Sequence, residues 1–216
     1  MIVDPRAFIL ANTRLQSPPH TPELALHLAD EITPIWRMTE EVLQEVGVAP
    51  PFWAFAWAGG QALARYLLDE PAVVAGRSVL DFACGGGIVG IAAVRAGAAC
   101  VLAADIDPFC EAALALNAEA NGVTLAFTAA DLLAAPAPAV EIITAGDIAY
   151  EKPTALRVRA WLEAAHARGI KVLIGDPRRA YFEPRGLVQL AEYQVPTTRE
   201  LEDFEIKRAG VWTFAD

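Results

Sequence analysis

Short apolar runs and longer amphipathic segments alternate along the chain from residue 59 onward. Short apolar runs bounded by turn residues are typical of strands, and apolar residues spaced three and four apart are typical of helices. Strands are predicted over 78–83, 99–104, 123–128, 140–145 and 170–175, and helices over 59–68, 87–96, 108–120 and 153–167. This alternation indicates βαβ units, so we expect an α/β fold with a doubly wound, mostly parallel, seven-stranded sheet.

The two ends of the chain do not follow this alternation. The spacing predicts a helix over 186–193 and two final strands over 194–199 and 207–214, which alternate in polarity and so suit an antiparallel edge. At the other end, the alternating Leu24, Leu26 and Leu28 predict a short strand, and 39–47 resembles a capped helix. We therefore predict an N-terminal extension or lid over 1–50 and one domain over 51–216.

Composition narrows the class of protein. The 216 residues are 55% hydrophobic and carry a net charge of −10, which excludes an intrinsically disordered chain. The acidic balance argues against binding to nucleic acid or to an anionic membrane, because both attract Lys and Arg. Three cysteines and the absence of a basic, apolar leader at the start predict reduced thiols and a cytoplasmic location.

One uncharged stretch, 46–64, is long enough to suggest a membrane span. It contains Pro50-Pro51 and Gly59-Gly60, so we interpret it as a loop followed by the start of a buried helix. We predict no membrane partner, and we expect a monomer.

A glycine-rich loop follows the first predicted strand. Residues 85–90, Gly-Gly-Gly-Ile-Val-Gly, match G-x-G-x-x-G immediately before a helix, where free N–H groups and close backbone approach favour a nucleotide ligand. The pattern is weak alone, because it serves NAD, FAD and S-adenosylmethionine (SAM) alike, and a tight turn without a ligand gives the same letters.

Acidic residues close to this loop favour one of these ligands. Asp81 lies within the strand before the loop, Asp105 follows the next strand where a ribose-binding acid is expected, and Asp131 follows the third. Three acids at strand ends suit a positively charged ribonucleoside such as SAM, whose sulfonium and ammonium groups are cationic. NAD would place its diphosphate at the N-terminus of the helix, and an NAD-dependent enzyme usually has a second catalytic domain.

The same segments resemble the motifs of the class I, seven-β-strand SAM-dependent methyltransferases. Residues 78–87 are similar to the family's V-L-D-x-G-x-G-x-G motif with Ala83 in place of the first glycine, 104–108 resemble the second motif, and 130–132 the third. The resemblance implies a Rossmann-like fold and SAM as cofactor. It implies these cofactor-binding residues: Trp57, Asp81, Ala83, Cys84, Gly85, Gly87, Asp105, Ile106, Asp131, Leu132 and Gly146.

A narrower resemblance covers 51–63, 146–151 and 173–178. These segments are similar to the electron transfer flavoprotein β-subunit lysine methyltransferases, which carry D-x-x-Y after the fourth strand. The resemblance implies methyl transfer from SAM to lysine side chains of that subunit. In this picture the Asp147 carboxylate attracts and orients the lysine ammonium, Tyr150 shapes the lysine channel, and Glu151 is a second acid.

Other functions stay open at this point. A nucleic-acid amino-methyltransferase usually shows N-P-P-Y or D-P-P-Y, whereas Asp147-Ile148-Ala149-Tyr150 lacks both prolines. A methyltransferase acting on another protein, such as a ribosomal protein, or on a small molecule is an alternative, as are an NAD-binding reductase and a catalytically inactive SAM-binding module. No metal is expected, because Cys84 and the three histidines lack the spacing of ligands.

Overall fold

The computed structural model describes residues 4–30, 50–197 and 205–215. The predicted helix over 39–47 and part of the predicted strand over 194–199 lie outside these residues. Within the described ranges, no helix is both long and apolar enough to cross a bilayer.

A mixed sheet of seven strands dominates the described part of the chain, in the order β5-β4-β3-β6-β7-β9-β8. The neighbours from β5 to β7 are parallel, whereas β9 is antiparallel to both β7 and β8. Its strands are β3 (Ser78–Phe82), β4 (Cys100–Ala104), β5 (Ala126–Thr128), β6 (Ile142–Gly146), β7 (Lys171–Asp176), β8 (Leu187–Pro196) and β9 (Ile206–Phe214). The predicted α/β class and mostly parallel sheet are confirmed, and β5 is shorter than predicted.

Helices cover both faces of the sheet. They are α1 (Pro5–Asn12), α2 (Ala58–Asp69), α3 (Ile88–Arg95), α4 (Cys110–Asn121) and α5 (Lys152–His166). On one face α2 and α3 pack on side chains such as Val79 and Leu173, and on the other α5 packs on Leu80 and Val172. Consecutive strand residues are thus buried on opposite faces, which is why the inner strands are mostly apolar apart from buried polar residues such as Asp81 and Thr144.

The predicted helix over 186–193 is wrong, because these residues belong to β8. The alternation of exposed and less exposed side chains along β8 is disturbed where the pairing with β9 shifts register between Gln189 and Ala191. A bulge of this kind moves later side chains to the other face of the strand, so the sequence loses its period of two.

Helix α2 begins against the end of β7 at unusually short range. A Cβ atom added to Gly59 would lie 2.3 Å from the carbonyl oxygen of Gly175, and one added to Gly175 would lie 2.2 Å from the carbonyl oxygen of Gly59. Only glycine at both positions permits this approach. The contact brings the first turn of α2 to the ends of β6 and β7, where polar side chains collect.

The N-terminal segment packs against α4. Its strands β1 (Arg14–Gln16) and β2 (Leu26–Leu28) form a small antiparallel ribbon. Asn117 Oδ1 accepts a hydrogen bond of 2.7 Å from the His27 amide, and Asn117 Nδ2 donates one of 2.8 Å to the Gly86 carbonyl. One side chain of α4 therefore contacts both the ribbon and the glycine-rich loop.

Candidate active site

A cavity of roughly 340 Å³ opens at the carboxyl ends of the parallel strands. Its walls come from the segments that follow β3, β4, β5, β6 and β7, together with the first turn of α2 and the aromatic segment before it. In open α/β sheets this edge is where ligands bind. The cavity is therefore the candidate active site.

The glycine-rich loop forms one wall of the cavity. Gly87 begins α3 with a φ of 84°, and a Cβ atom there would lie 2.1 Å from Leu114 Cδ1, so this position requires glycine. Ala83, which stands in place of the motif's first glycine, has a φ of 55° in the left-handed region. An L-residue adopts this conformation at a cost of about 1–2 kcal/mol, so the loop stores strain at its first bend.

Asp81 lies beneath this loop and is 1% exposed. Its Oδ2 atom accepts a hydrogen bond of 2.8 Å from the Gly90 amide, and its Oδ1 atom accepts one of 3.1 Å from the Thr144 hydroxyl. Burial raises the pKa of this carboxyl to about 7, against the effect of both hydrogen bonds. Asp81 lines the cavity and also holds the start of α3 through the Gly90 amide, and its predicted place near a cationic ligand stays a prediction.

Asp105 and Ile106 form the wall after β4. The Asp105 Oδ2 atom accepts a hydrogen bond of 2.9 Å from the Gly85 amide, and Oδ1 accepts one of 3.0 Å from the Asp107 amide. Ile106 is 72% exposed although it is strongly apolar, which suits a surface that a flat ligand covers. The predicted ribose and adenine contacts of these two residues are compatible with this placement.

The segment after β5 completes this end of the cavity. Leu132 lines it, and the Asp131 side chain is about half exposed beside it, 3.7 Å from the Arg157 guanidinium. Asp131 Oδ1 accepts a hydrogen bond of 3.0 Å from the Leu133 amide. The carboxylate therefore lies at the rim of this end of the cavity, and its contact with an amino group of a ligand stays a prediction.

Two thiols lie in the wall between these segments. Cys84 and Cys110 are both buried and line the cavity, and burial raises the pKa of both thiols. Thiols of this kind are unreactive, because the thiolate is the nucleophilic form. Among the residues that the structure describes, no group of three or more His, Cys, Asp or Glu side chains is arranged to hold a metal ion.

Asp147 follows β6 and points toward the first turn of α2. Its φ is 53°, and its Oδ2 atom accepts a hydrogen bond of 2.7 Å from the Gly60 amide. Its Oδ1 atom accepts hydrogen bonds of 2.7 Å from Arg179 Nη2 and 3.1 Å from Arg179 Nε. We predicted that this carboxylate attracts a lysine ammonium, but in the structure a guanidinium already occupies one of its oxygens.

Arg179 was missed in the sequence analysis. It follows β7 and lies 32 residues after Asp147, so no local spacing connects the two. The adjacent segment 173–178 was the available signal, since it belongs to the resemblance described above. The Asp147 and Arg179 side chains are only 10% and 17% exposed, so this ion pair is part of the cavity wall rather than of the outer surface.

Asp176, at the end of β7, supports Arg179 from below. It is buried, and its Oδ1 atom accepts a hydrogen bond of 2.7 Å from the Arg179 amide. Its Oδ2 atom is buried and has no hydrogen-bond partner among the described residues. Burial, followed by the charge of Asp147, raises the pKa of Asp176 to about 7.

Aromatic rings form the mouth of the cavity above this ion pair. The Phe52 ring lies 6.1 Å from the Trp57 ring and 5.6 Å from the Tyr150 ring, measured between centroids. Phe52 and Tyr150 are 46% and 56% exposed. Trp57 donates a hydrogen bond of 2.9 Å from Nε1 to the Phe52 carbonyl, and the Arg179 guanidinium lies 5.4 Å from the Trp57 ring. We call Phe52, Trp57 and Tyr150 the aromatic mouth.

Glu151 is not among the described residues that line the cavity. It is exposed at the N-cap position of α5, where it accepts a hydrogen bond from the Thr154 hydroxyl. Pro153 and the helix pattern that starts there explain this position, since an acidic group is favourable at a helix N-terminus. The structure therefore does not bring Glu151 into the site as the predicted second acid. Gly146, in contrast, lines the cavity as predicted.

Comparison with known proteins places this site in a family. The family model for ribosomal protein L11 methyltransferase (PrmA) matches residues 61–150. The crystal structure of magnesium protoporphyrin IX methyltransferase from Synechocystis PCC 6803, solved with bound SAM, superposes with a TM-score of 0.52 at 18% identity, covering 72% of this chain and 78% of that one. This similarity shows that the fold is that of a methyltransferase, as predicted.

Two relatives match almost the full length. The electron transfer flavoprotein beta subunit lysine methyltransferase of Xenopus laevis is 40% identical over 97% of this chain and 87% of its own. The protein of the same name from Danio rerio is 38% identical over 98% of this chain and 83% of its own. Identity at this level over nearly the whole chain shows that it belongs to the electron transfer flavoprotein beta subunit lysine methyltransferase family.

Proposed function

We propose that this enzyme transfers methyl groups from SAM to lysine side chains of the electron transfer flavoprotein beta subunit. The near full-length similarity to enzymes named for that substrate carries the proposal. The geometry supports it, because one cavity joins an acid-bearing end suited to a cationic nucleoside with an aromatic mouth suited to a lysine stem.

The residues at the first end fit SAM by their chemistry. The Asp105 carboxylate is positioned for ribose hydroxyls, the exposed Ile106 for one face of adenine, and Asp131 for an amino group. The volume of the cavity is within the range of small-molecule sites. When bound, SAM supplies a methyl group on a positively charged sulfur. Ala83, Cys84 and Gly85 line the cavity at the glycine-rich loop, whereas Trp57 lines it from the aromatic mouth.

The aromatic mouth suits a lysine side chain entering from the surface. Its four methylene groups would pack against Phe52, Trp57 and Tyr150, and exposed rings of this kind also attract a cation. Attack requires a free lone pair, whereas the lysine ammonium has a pKa near 10.4 in water. Desolvation between the rings and nearby positive charge both lower that pKa, and the proton leaves to water.

Asp147 and Tyr150 organise this half of the site in the proposal. Asp147 connects the Gly60 amide on α2 with the Arg179 guanidinium, so it fixes the distance between two walls of the cavity. Tyr150 stands at the opening beside Phe52. Although the side chain is 56% exposed, the surrounding cavity wall desolvates the phenol, and this together with the charges of Asp105 and Glu151 raises its pKa. The phenol therefore stays neutral at physiological pH and serves as a wall. Positioning is the main requirement for an in-line displacement.

A methyl-transfer assay with defined proteins tests the proposal. Purified enzyme is incubated with labelled SAM and with purified electron transfer flavoprotein, and labelled residues are located by peptide mass spectrometry. We expect label on lysines of the beta subunit, and much less label with the Asp105→Ala variant when SAM is limiting. Label found only on small molecules, or on no protein, would contradict the proposal.

Ribosomal protein L11 is the second candidate substrate, because the family model for its methyltransferase matches 61–150. That segment contains the glycine loop, Asp105 and Asp147, which belong to the common machinery, and it ends before Arg179. Equal amounts of the two substrates in one reaction distinguish the candidates. Preferential labelling of L11 would replace the flavoprotein as the proposed substrate.

A cytoplasmic location and a monomeric state stay part of the proposal. The three cysteines are free thiols, including the exposed Cys100, which suits a reducing compartment. Light scattering of the purified protein tests the monomer, and fractionation of the source cells tests the location.

A further inference from the structure

Arg179 contributes a second feature to the acceptor end of the cavity. We propose that Arg179 is a positioning residue that offsets the charge of Asp147, so that the target lysine is held at the aromatic mouth as a neutral amine. This inference rests on the proposed lysine methylation and assigns a role to a residue beyond the D-x-x-Y segment.

The first support is the geometry of the ion pair. Both Nε and Nη2 of Arg179 donate to the same oxygen of Asp147, while the other oxygen accepts from the Gly60 amide. Both side chains are largely buried. A charge-assisted pair in partly buried surroundings is held more firmly than one on the surface, so the guanidinium remains beside the carboxylate while a substrate binds.

The second support is the anchoring of Arg179 itself. Its backbone amide is held by buried Asp176, and its guanidinium lies over the Trp57 ring of the aromatic mouth. Arg178 precedes it with a φ of 63°, so the chain turns sharply before Arg179. Arg179 thus extends from a fixed turn to both the carboxylate and a ring that would contact the lysine.

The chemistry explains why an offset charge is useful. In the transfer, the lone pair of the lysine nitrogen forms the N–C bond while the C–S bond breaks, and the product ammonium later loses a proton to water. An isolated carboxylate at Asp147 would stabilise the ammonium form, which has no lone pair. A guanidinium on that carboxylate removes this stabilisation, and its positive charge further favours the neutral amine.

Other ionisable groups face the same region and must be separated from Arg179. Asp176 packs beneath it with a pKa of about 7, so it changes charge within the working pH range. Tyr150 lines the same cavity from the segment after β6, and the charges of Asp105 and Glu151 act on its phenol. The experiment therefore reads the limb of the pH profile above neutrality and repeats it in an Asp176→Asn background.

The test compares pH profiles of kcat for lysine methylation at saturating substrate, because kcat reports groups that ionise in the enzyme–substrate complex. For Arg179→Gln we expect activity to fall about tenfold near neutral pH. We expect the limb on which activity rises with pH to move upward by about one pH unit, because an unpaired carboxylate at this range raises the pKa of the lysine. Activity should recover near pH 9. The double variant Arg179→Gln/Asp147→Asn removes both charges and should return the limb to the wild-type position. Arg179→Lys, which keeps the charge, should leave the limb in place.

Arg178→Gln is the matched control. It removes the same charge one residue before Arg179, and the Arg178 guanidinium lies over the Trp212 ring. Its limb should not move. A loss of activity in Arg179→Gln with an unmoved limb would assign Arg179 a purely structural role and overturn the inference. If that variant does not fold, Arg179→Met keeps most of the stem and gives the same reading.

A binding measurement is independent of turnover. A synthetic peptide bearing the target lysine is compared with its norleucine analogue by calorimetry near neutral pH. Wild-type enzyme should bind the norleucine analogue more tightly, because a lysine held as a neutral amine must first lose its proton. Arg179→Gln should shift this preference toward the lysine peptide by about tenfold, because the Asp147 carboxylate then stabilises the ammonium. Equal discrimination in both enzymes contradicts the inference alone, while wild-type enzyme that methylates no lysine contradicts the proposed function.

Discussion

The Asp105 carboxylate accepts a hydrogen bond of 2.9 Å from the Gly85 amide, and this bond connects the end of β4 to the glycine-rich loop. The same side chain also accepts from the Asp107 amide. Asp105 therefore shapes two segments of the cavity wall in addition to any contact with a ligand. The end of β4 and the glycine-rich loop are thus connected through one carboxylate.

Replacing this carboxylate is expected to weaken cofactor binding. Asp105→Ala removes the proposed acceptor for the ribose and releases the Gly85 amide, and hydrogen bonds to a charged group contribute about 1.5–3 kcal/mol each. We expect the affinity for SAM, measured by calorimetry, to fall by about 10- to 100-fold. Glu111→Ala on the exposed face of α4 is the control. Unchanged affinity would remove Asp105 from the proposed site.

The neighbouring glycines at the start of α2 should respond differently to alanine. In Gly59→Ala the new Cβ would lie 2.3 Å from the Gly175 carbonyl oxygen and 2.7 Å from Asp147 Oδ2, so the helix must move. We expect a loss of about 1–3 kcal/mol in the free energy of unfolding, with reduced activity. In Gly60→Ala the new Cβ has contacts of 3.4 Å and longer, and the helix gains propensity. Denaturant titrations measure the free energy of unfolding of both variants. Equal losses of stability in the two would contradict the close approach of Gly59 to Gly175.

The strained bend at Ala83 predicts a stabilising substitution. Ala83→Gly removes the Cβ from a left-handed position with a φ of 55°, so we expect a gain of about 0.5–1 kcal/mol in the free energy of unfolding. Ala135→Gly is the matched control, because Ala135 is exposed and extended with a φ of −143°. That change should destabilise the protein by a similar amount. Both variants are measured by chemical denaturation, and destabilisation at both sites would argue against strain at Ala83.

Stability should depend on pH through Asp81. Its pKa of about 7 in the fold lies above the value near 3.9 expected in the unfolded chain, so the folded protein binds more protons between these values. The free energy of unfolding therefore falls as pH rises from about 4 to 7, by up to about 1.4 kcal/mol per pH unit for this group. Asp81→Asn should flatten that slope and be more stable than wild type near pH 8.

Asp176 contributes to the pH dependence of the free energy of unfolding in the same direction, because burial also raises its pKa to about 7. The slope in Asp81→Asn should therefore be reduced but not abolished, and the double variant with Asp176→Asn should be nearly flat over this range. Urea titrations at a series of pH values measure the slope. A slope in Asp81→Asn equal to that of wild type would show that Asp81 ionises at its ordinary pH.

The aromatic mouth should matter more for the protein substrate than for the cofactor. Tyr150→Ala removes an exposed ring that touches Phe52, so we expect KM for the protein substrate to rise by about tenfold while SAM affinity stays within twofold. Tyr150→Phe keeps the ring and should retain most of the activity. A large loss in Tyr150→Phe would instead assign a role to the hydroxyl group, contrary to its proposed role as a wall.

Much of the fold was predictable because its signals are local. The buried strands β3, β4, β6 and β7 are mostly apolar runs, and Pro108 and Pro153 lie within two residues of the first residues of α4 and α5. Strand β8 was not predictable, because its bulge removes the period of two on which strand assignment depends. Its place in the sheet is decided by pairing with β9, which is a contact between distant segments.

The site was predictable where the motif itself makes the contacts. The loop around Gly85 and Gly87, and the acids that follow β4 and β5, lie in one wall as expected. Arg179 was not predictable, because its partner Asp147 is brought to it by the pairing of β6 with β7. Asp81 lines the same cavity, but its hydrogen bonds to the Gly90 amide and the Thr144 hydroxyl were not predictable, because they depend on how β3, β6 and α3 pack together.

The contacts of Asn117 have a consequence for how the enzyme responds to its ligand. One amide side chain holds the backbone of His27 through its oxygen and that of Gly86 through its nitrogen. Any ligand that steadies the loop at Gly86 must then also steady the N-terminal ribbon, and by reciprocity the ribbon must strengthen binding of that ligand by the same free energy. Deleting the ribbon should therefore lower the affinity for the cofactor, although the ribbon lies far from the glycine motif in sequence.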